Sequence, residues 1–380
     1  MALKQKLRAK PPIQNMGTKS FGPSNTNANF AFIDLFAGIG GLRIPFSQLG
    51  GECVFTSEID LKAAATYEMN FGERPSGDIC AVNEKDVPKH DLLLAGFPCQ
   101  PFSNAGLKKG FEDSTRGTMF FEIERLVSHH RPSALLLENV KGLLSHDKGN
   151  TMRVIEKRLG DLGYWVNKKV LNARDFGLPQ NRERIYIVCL RKDLFAMDEF
   201  SFPDAPKTKT KLGKILENKV DEKFTISDRL WEGHQRRHRE HAAKGNGFGY
   251  SLFSKDSPYT STISARYYKD GSEILIDQGP DRLGNPRNPR KLTPREAARL
   301  QGFPDSFKLN PSNTQAYKQF GNAVAVPVVA AIARELVPLL EKTKSRRNSR
   351  HTRWLTRWTK FLPGLAHFRK TGKFVGIIVC

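Results

Sequence analysis

Residues 32–43, "FIDLFAGIGGLR", pass from a short apolar run through a glycine-rich turn into the first residues of a helical pattern. Glycines at such a turn let the backbone come close to a ligand above the end of a sheet. The dinucleotide fingerprint G-x-G-x-x-G fails here, because Gly38 and Gly40 need a third glycine where Arg43 stands. Outward from this stretch the same texture repeats. Short apolar runs, "ECVFTSEI" (52–59), "DLLLAG" (91–96), "SALLLEN" (133–139) and "RIYIVCL" (184–190), alternate with amphipathic spacers, including predicted helices at 117–131 and 151–162. Apolar runs of this length predict parallel strands buried on both faces. The fold class is therefore α/β, with a doubly wound, mostly parallel sheet and ligands at the carboxyl ends of its strands.

The 380 residues suffice for two domains, and 39% hydrophobic content with a mean hydropathy of −0.48 fits a soluble globular chain. Five cysteines (Cys53, Cys80, Cys99, Cys189 and Cys380), odd in number and never spaced C-x-x-C, argue against a disulfide framework or a cysteine zinc site. A reducing cytoplasm is the expected compartment. The basic start "MALKQKLRAKPP" lacks an apolar h-region and reads as no signal peptide; "FVGIIV" (374–379) is too short to span a bilayer. Of the formal charge of +22, residues 1–29 carry five basic and no acidic side chains, and residues 341–380 eleven basic and one acidic. That leaves +7 on residues 30–340. A basic excess favours a polyanionic partner, although tails of this composition are also simply solvated.

Texture divides the chain into five parts: a flexible basic segment (1–30), the alternating α/β domain (31–190), a smaller domain rich in charge and glycine (191–290), a return segment (291–340) and a basic tail (341–380). Within the second domain "TISARYYKDGSEILI" (262–276) predicts a hairpin turning at Asp270–Gly271. In the return segment "TPREAARLQG" (293–302) predicts a helix start, with Thr293 as N-cap, Pro294 in the first position and Glu296 closing a capping box. Residues 324–340 predict an apolar helix that packs back on the first domain. The tail, with Trp354 and Trp358, receives no structural assignment.

Candidate ligand groups sit at the predicted strand ends. Glu58, twenty residues after Gly38, is placed to accept hydrogen bonds from ribose hydroxyls. In "SGDIC" (76–80) Asp78 suits an adenine amino group and Ile79 offers an apolar face, so the set fits an adenosine cofactor without a pyrophosphate. The alternative is a tight turn flanked by solvated acids. Cys99, in "AGFPCQPFS" (95–103), is presented at the mouth of a strand between Pro98 and Gln100, whereas a thiol serving packing belongs inside the strand. His234, His238 and His241 fall at helical spacing without further ligand groups, and no metal is assigned to them.

"DLFAGIGG", "GFPCQPFS", "ENVKGL", "QNRERIYIV", "RLQGFP" and "QFGNAV", in that order, make the chain resemble the bacterial DNA (cytosine-5)-methyltransferases of restriction–modification type over residues 31–335. The resemblance implies an S-adenosylmethionine-dependent methyltransferase fold with a smaller target-recognition domain at 191–290. It places the cofactor among Phe36, Gly38, Ile39, Gly40, Gly41, Glu58, Ile59, Asp78, Ile79, Pro98, Met119, Asn322 and Val324. It makes Cys99 the nucleophile that adds to carbon 6 of a flipped cytosine, turning carbon 5 into a carbon that accepts a methyl group. Glu138 would protonate or hydrogen-bond ring nitrogen 3. Arg184 would steady the glutamate and the cysteine loop, and Arg182 would reach the pyrimidine carbonyl or a phosphate. Gln180, Arg182 and Arg184 alternate, so they share one face if the strand begins there, a pattern that a solvated charged ladder also produces.

Implied DNA contacts are Ser103, Lys108, Lys109, Arg116, Gln180, Arg236, Arg237, Arg266, Tyr267 and Tyr268. The implied partners are double-stranded DNA and a restriction endonuclease, with the enzyme acting as a monomer in the bacterial cytoplasm. A tRNA cytosine-5 methyltransferase and a catalytically silent DNA-binding relative are the alternatives. The hundred-residue insert speaks for a DNA reader, and the intact Cys99, Glu138 and arginine pair against a silent relative.

Overall fold

The computed structural model describes residues 28–98, 119–247 and 249–361, with side chains through Thr343. Six strands form the central sheet: β1 (Phe30–Leu35), β2 (Gly51–Ser57), β3 (Leu92–Gly96), β4 (Ala134–Val140), β5 (Tyr164–Asn172) and β6 (Glu183–Arg191). Their order is β2-β1-β3-β4-β6-β5. The first four pair in parallel, and β6 runs antiparallel to both β4 and β5. The expectation that "RIYIVCL" is one more parallel strand is thus corrected. A parallel neighbour needs a crossover of a dozen or more residues, and only ten residues with one 3₁₀ turn separate β5 from β6. Strand β5 carries no long apolar run. It lies at the sheet edge, and Lys168 and Lys169 are the charged residues such an edge tolerates.

Apolar layers cover both faces of the sheet. On one face Phe32, Leu94, Leu136 and Val188 pack against Val329, Ile332 and Leu336 of the last helix, α8 (Val326–Phe361), and against Phe46 of α1 (Arg43–Gln48). On the other, Ile33, Leu93, Leu137 and Ile187 pack against Ile123, Leu126 and Val127 of α3 (Met119–His130) and Ile155 and Leu159 of α4 (Asn150–Asp161). Two-sided burial is why these strands read as continuous apolar runs. Helix α8 is the helix expected at 324–340. It begins two residues later and continues to Phe361, giving the first part of the unassigned tail a helical backbone.

A third core gathers α2 (Leu61–Phe71), α6 (Pro294–Leu300), α7 (Asn313–Asn322) and the chain between Leu212 and Leu292, around Tyr67, Phe71, Ile263, Tyr267, Phe303 and Phe320. Helix α6 starts with the expected capping box: Thr293 Oγ1 accepts from Glu296 N (3.1 Å) and Glu296 Oε2 from Thr293 N (2.8 Å). The expected hairpin at 262–276 does not form. Residues 265–270 are turns, and β8 (Leu275–Ile276) pairs in parallel with β7 (Leu252–Phe253). Tyr267 folds the segment inward instead: its hydroxyl donates to Ile274 O and accepts from Leu292 N, both at 2.7 Å. Helix α5 (Asp228–Ala243) flanks this part. No single helix among the described residues is long and apolar enough to cross a membrane.

Candidate active site

The carboxyl ends of β1, β3 and β4 converge on a cavity of about 670 Å³. Parallel pairing sets this convergence, since it places Gly96 of β3 opposite Glu138 of β4. After β1 the chain turns sharply: Phe36 has φ 53° and Gly38 φ 56°. A phenylalanine in the left-handed region is strained, and here the strain sits on the cavity wall. Gly38 N–H donates to Glu58 Oε2 and Asp60 N–H to Glu58 Oε1, both at 2.7 Å. Each carboxylate oxygen keeps acceptor capacity for a ligand hydroxyl. Burial raises the Glu58 carboxyl above the usual range, and these backbone N–H groups oppose the rise. Asp78 caps the next turn by accepting from Cys80 N (3.0 Å), and Ser57 Oγ donates to Gly77 O (2.8 Å). Ile59, an apolar residue left 68% exposed, stands at the same wall.

Phe36, Gly38, Ile39, Gly41, Glu58, Ile59, Asp78, Ile79, Pro98, Met119, Asn322 and Val324 all line this cavity. Gly40 does not. A Cβ there would lie within 2.3 Å of Phe71 Cε2, so Gly40 serves close packing of the turn on α2. Sequence reasoning missed Asp60, Gln319 and Lys318, which also line the cavity. Lys318 Nζ donates to Asp60 Oδ2 at 2.8 Å and ties the two rims together. Both partners adjoin motifs already singled out, but 258 positions separate them and no local pattern pairs them.

Glu138 is 9% exposed and its Oε1 lies 3.3 Å from Arg184 Nε. Burial raises its carboxyl above the usual range, against the pull of Arg184 and then Arg182. A carboxyl held that way can keep a proton for an acceptor in the cavity. Asn139 Nδ2 donates to Phe97 O (2.9 Å) and fixes the chain just before Pro98. Cys99, Ser103, Lys108, Lys109 and Arg116 lie outside the described residues.

Three expected contacts are corrected. Gln180, expected on DNA, is 0% exposed; its amide donates to Leu300 O (3.0 Å) and accepts from Ile263 N (3.0 Å). Tyr267 is likewise 0% exposed, with its hydroxyl engaged as described above. Arg182 is 2% exposed, which removes it from a backbone phosphate; of its two expected contacts, only the pyrimidine carbonyl is compatible with its place on the cavity wall. Its Nη1 donates to Ile263 O (3.2 Å), and its Nη2 to Gly321 O (3.1 Å) and Ala323 O (2.7 Å). Arg266 and Tyr268 remain exposed beside Tyr267, and Arg236 is exposed on α5. Arg237, on the same helix, donates to His234 Nδ1 (2.9 Å). No three His, Cys, Asp or Glu side chains among the described residues are grouped to hold a metal ion.

Comparison with known proteins agrees with this geometry. A family model, C-5 cytosine-specific DNA methylase, matches residues 30–338. The Type II methyltransferase M1.ScrFI of Lactococcus lactis subsp. cremoris is 57% identical over 319 residues, 83% of this chain and 80% of that protein. The Type II methyltransferase M.NlaX of Neisseria lactamica is 56% identical over 322 residues, 84% of this chain and 99% of that protein. Among solved structures, S. pombe Dnmt2 methyltransferase superposes with a TM-score of 0.65 at 21% identity, over 82% of this chain and 99% of that one, and so shares the fold. A methyltransferase sheet with its cavity at the strand ends, matched by the family along most of its length, makes this chain a member of the C-5 cytosine-specific DNA methylases and a DNA (cytosine-5) methyltransferase.

Proposed function

We propose that the chain transfers a methyl group from S-adenosylmethionine to carbon 5 of a cytosine flipped out of double-stranded DNA. We further propose that in the bacterial cytoplasm this marks host sites against a partner restriction endonuclease, as the Type II names of its relatives suggest. One observation carries the reading: a single cavity is lined both by the adenosine-type set (Glu58, Ile59, Asp78, Ile79) and by Glu138 with Arg184, and Pro98, next to Cys99, lines it too. The donor set fits the cofactor. Glu58 offers free lone pairs to ribose hydroxyls, and Ile59 and Ile79 supply apolar cover for a purine ring.

The bound cofactor supplies an electrophilic methyl group. The protein's part is to make carbon 5 of cytosine nucleophilic. Cys99 adds its sulfur to carbon 6 and opens the 5,6 double bond; once carbon 5 has taken the methyl group, its hydrogen leaves as a proton to solvent and the sulfur is expelled, which restores the ring and frees the thiolate. Glu138 donates to ring nitrogen 3 as negative charge builds on the ring, and its raised carboxyl keeps that proton available. Arg184 holds the glutamate in place through the 3.3 Å contact. Flipping the base costs a few kcal/mol and requires contacts elsewhere on the duplex; exposed Arg236, Arg266 and Tyr268 fit that task, and the enzyme acts as a monomer.

Bisulfite sequencing of DNA from cells expressing the protein tests the reading and reveals the motif. A 5-fluorocytosine duplex carrying that motif should form a denaturation-resistant adduct, and Cys99→Ala should abolish it. An adduct that survives in the variant, or methyl groups found only on exocyclic nitrogens, would overturn the mechanism.

A further inference from the structure

We propose that Arg182 is a positioning residue that joins the loop after Ile263 to the turn Gly321–Val324, so that engagement of DNA and binding of the cofactor are energetically coupled. This rests on the reading above, which gives the loop to DNA and the turn to the cofactor.

The two segments are far apart in sequence and meet at Arg182. Asn322, Ala323 and Val324 line the cavity. Arg266, Tyr268 and Lys269, the exposed residues of the loop, lie just beyond Ile263. Arg182 reaches both segments with one guanidinium, through Ile263 O on one side and Gly321 O and Ala323 O on the other. A planar fork with several fixed donors reaches acceptors on two segments of the chain at once and holds them in a fixed relation. A lysine keeps the charge and loses the fork.

The surrounding seam is built to transmit a shift. Asn181 N donates to Thr260 O (2.8 Å), Thr260 N to Pro179 O (2.9 Å) and Thr262 Oγ1 to Asn181 O (2.6 Å), so residues 179–182 and 260–263 are tied into one ribbon. Gln180 ties that ribbon to Leu300 O, and Gln301 Nε2 donates to Phe320 O at 2.8 Å. The loop and the turn also touch directly: a Cβ on Gly321 would lie 2.3 Å from Ser264 C and 2.4 Å from Ala265 N. Displacing the loop by a few tenths of an ångström therefore displaces the turn. Burying a cation here is costly, and burial pushes Arg182 down to about 9, an arrangement with no use for a surface-facing group. Its Nε, also buried, has no hydrogen-bond partner among the described residues.

Full-length protein is titrated with S-adenosylhomocysteine, with and without a duplex bearing the motif found by bisulfite sequencing. The wild type should bind it at least about fivefold more tightly when the duplex is present, within the usual range for coupled sites. In R182K the enhancement, taken as the ratio of that variant's own affinities with and without duplex, should fall below about twofold, whatever its affinity without DNA. Amide exchange in the unaltered protein gives a second reading: duplex alone should slow exchange at residues 320–324. An undiminished enhancement in R182K, or exchange at 320–324 that ignores the duplex, would overturn the coupling and leave the enzymatic reading standing. Wild type that binds neither ligand would overturn both.

Discussion

Gly38 and Gly40 sit two residues apart in one turn and should respond oppositely to alanine. Both occupy the left-handed region, at φ 56° and 83°, where a Cβ costs roughly 1–2 kcal/mol. Gly38 has nothing within 4 Å of its Cβ position, so its alanine variant should lose only that amount of stability. At Gly40 the new methyl lies 2.3 Å from Phe71 Cε2 and 3.2 Å from Tyr67 Cε2. The Phe71 ring cannot swing aside. Tyr67 packs on it at 4.5 Å and the Arg43 guanidinium covers it at 4.4 Å. Overpacking of this kind adds about 1–3 kcal/mol. The total for Gly40→Ala is about 2–5 kcal/mol, which lowers the melting temperature by about 4–10 °C at roughly 2 °C per kcal/mol. Gly38→Ala should melt within about 4 °C of wild type by the same scale. Its methyl enters the cavity instead, and should weaken S-adenosylhomocysteine by about tenfold or more, the equivalent of at least ~1.4 kcal/mol. Differential scanning fluorimetry and isothermal titration calorimetry read the two effects. A Gly40→Ala variant that melts with wild type while losing ligand affinity would refute the packing role.

Three further outcomes follow from the same geometry. Glu138→Gln should reduce single-turnover methyl transfer by about 10²–10⁴-fold; because the acid acts protonated and its carboxyl is raised, the wild-type rate should fall as pH rises through that carboxyl, and the variant should lose this limb. His90 is 4% exposed, stacks on His130 at 4.8 Å, and is pushed down to about 4 chiefly by burial. Its neutral form stabilises the fold fully above the ordinary histidine range, and this is lost as pH falls from about 6.5 to 4, up to about 3 kcal/mol; His90→Phe should flatten that part of the urea-stability profile relative to wild type, and an unchanged slope would count against it. Replacing Arg236 and Arg237 together by Gln should weaken DNA binding and reduce its salt slope by about 1–2 in a fluorescence-anisotropy series, and an unaltered slope would remove α5 from the interface.

Much of the site could be read from the chain because its parts sit where strands end. The glycine turn after β1, Glu58 after β2 and Glu138 at the end of β4 each close an apolar run, and parallel pairing brings such ends together. What the sequence hid lies between distant segments. Gln180, Arg182 and Tyr267 are polar and flank motifs, which made them look like DNA contacts. Their partners lie at Leu300, Gly321 and Leu292. Periodicity reports which face of its own element a residue occupies, but which remote carbonyl comes to meet it is a tertiary fact. The reversed β6 escaped for a related reason: burial on both faces erases the alternation that marks an antiparallel strand with one wet side.

The wall of the cavity is assembled from Phe36 near one end of the chain and Val324 near the other. A polypeptide still emerging from the ribosome therefore has no finished pocket until nearly all of its folded part has been made. Prematurely terminated products that stop short of Val324 lack part of that wall and should be unable to mark DNA.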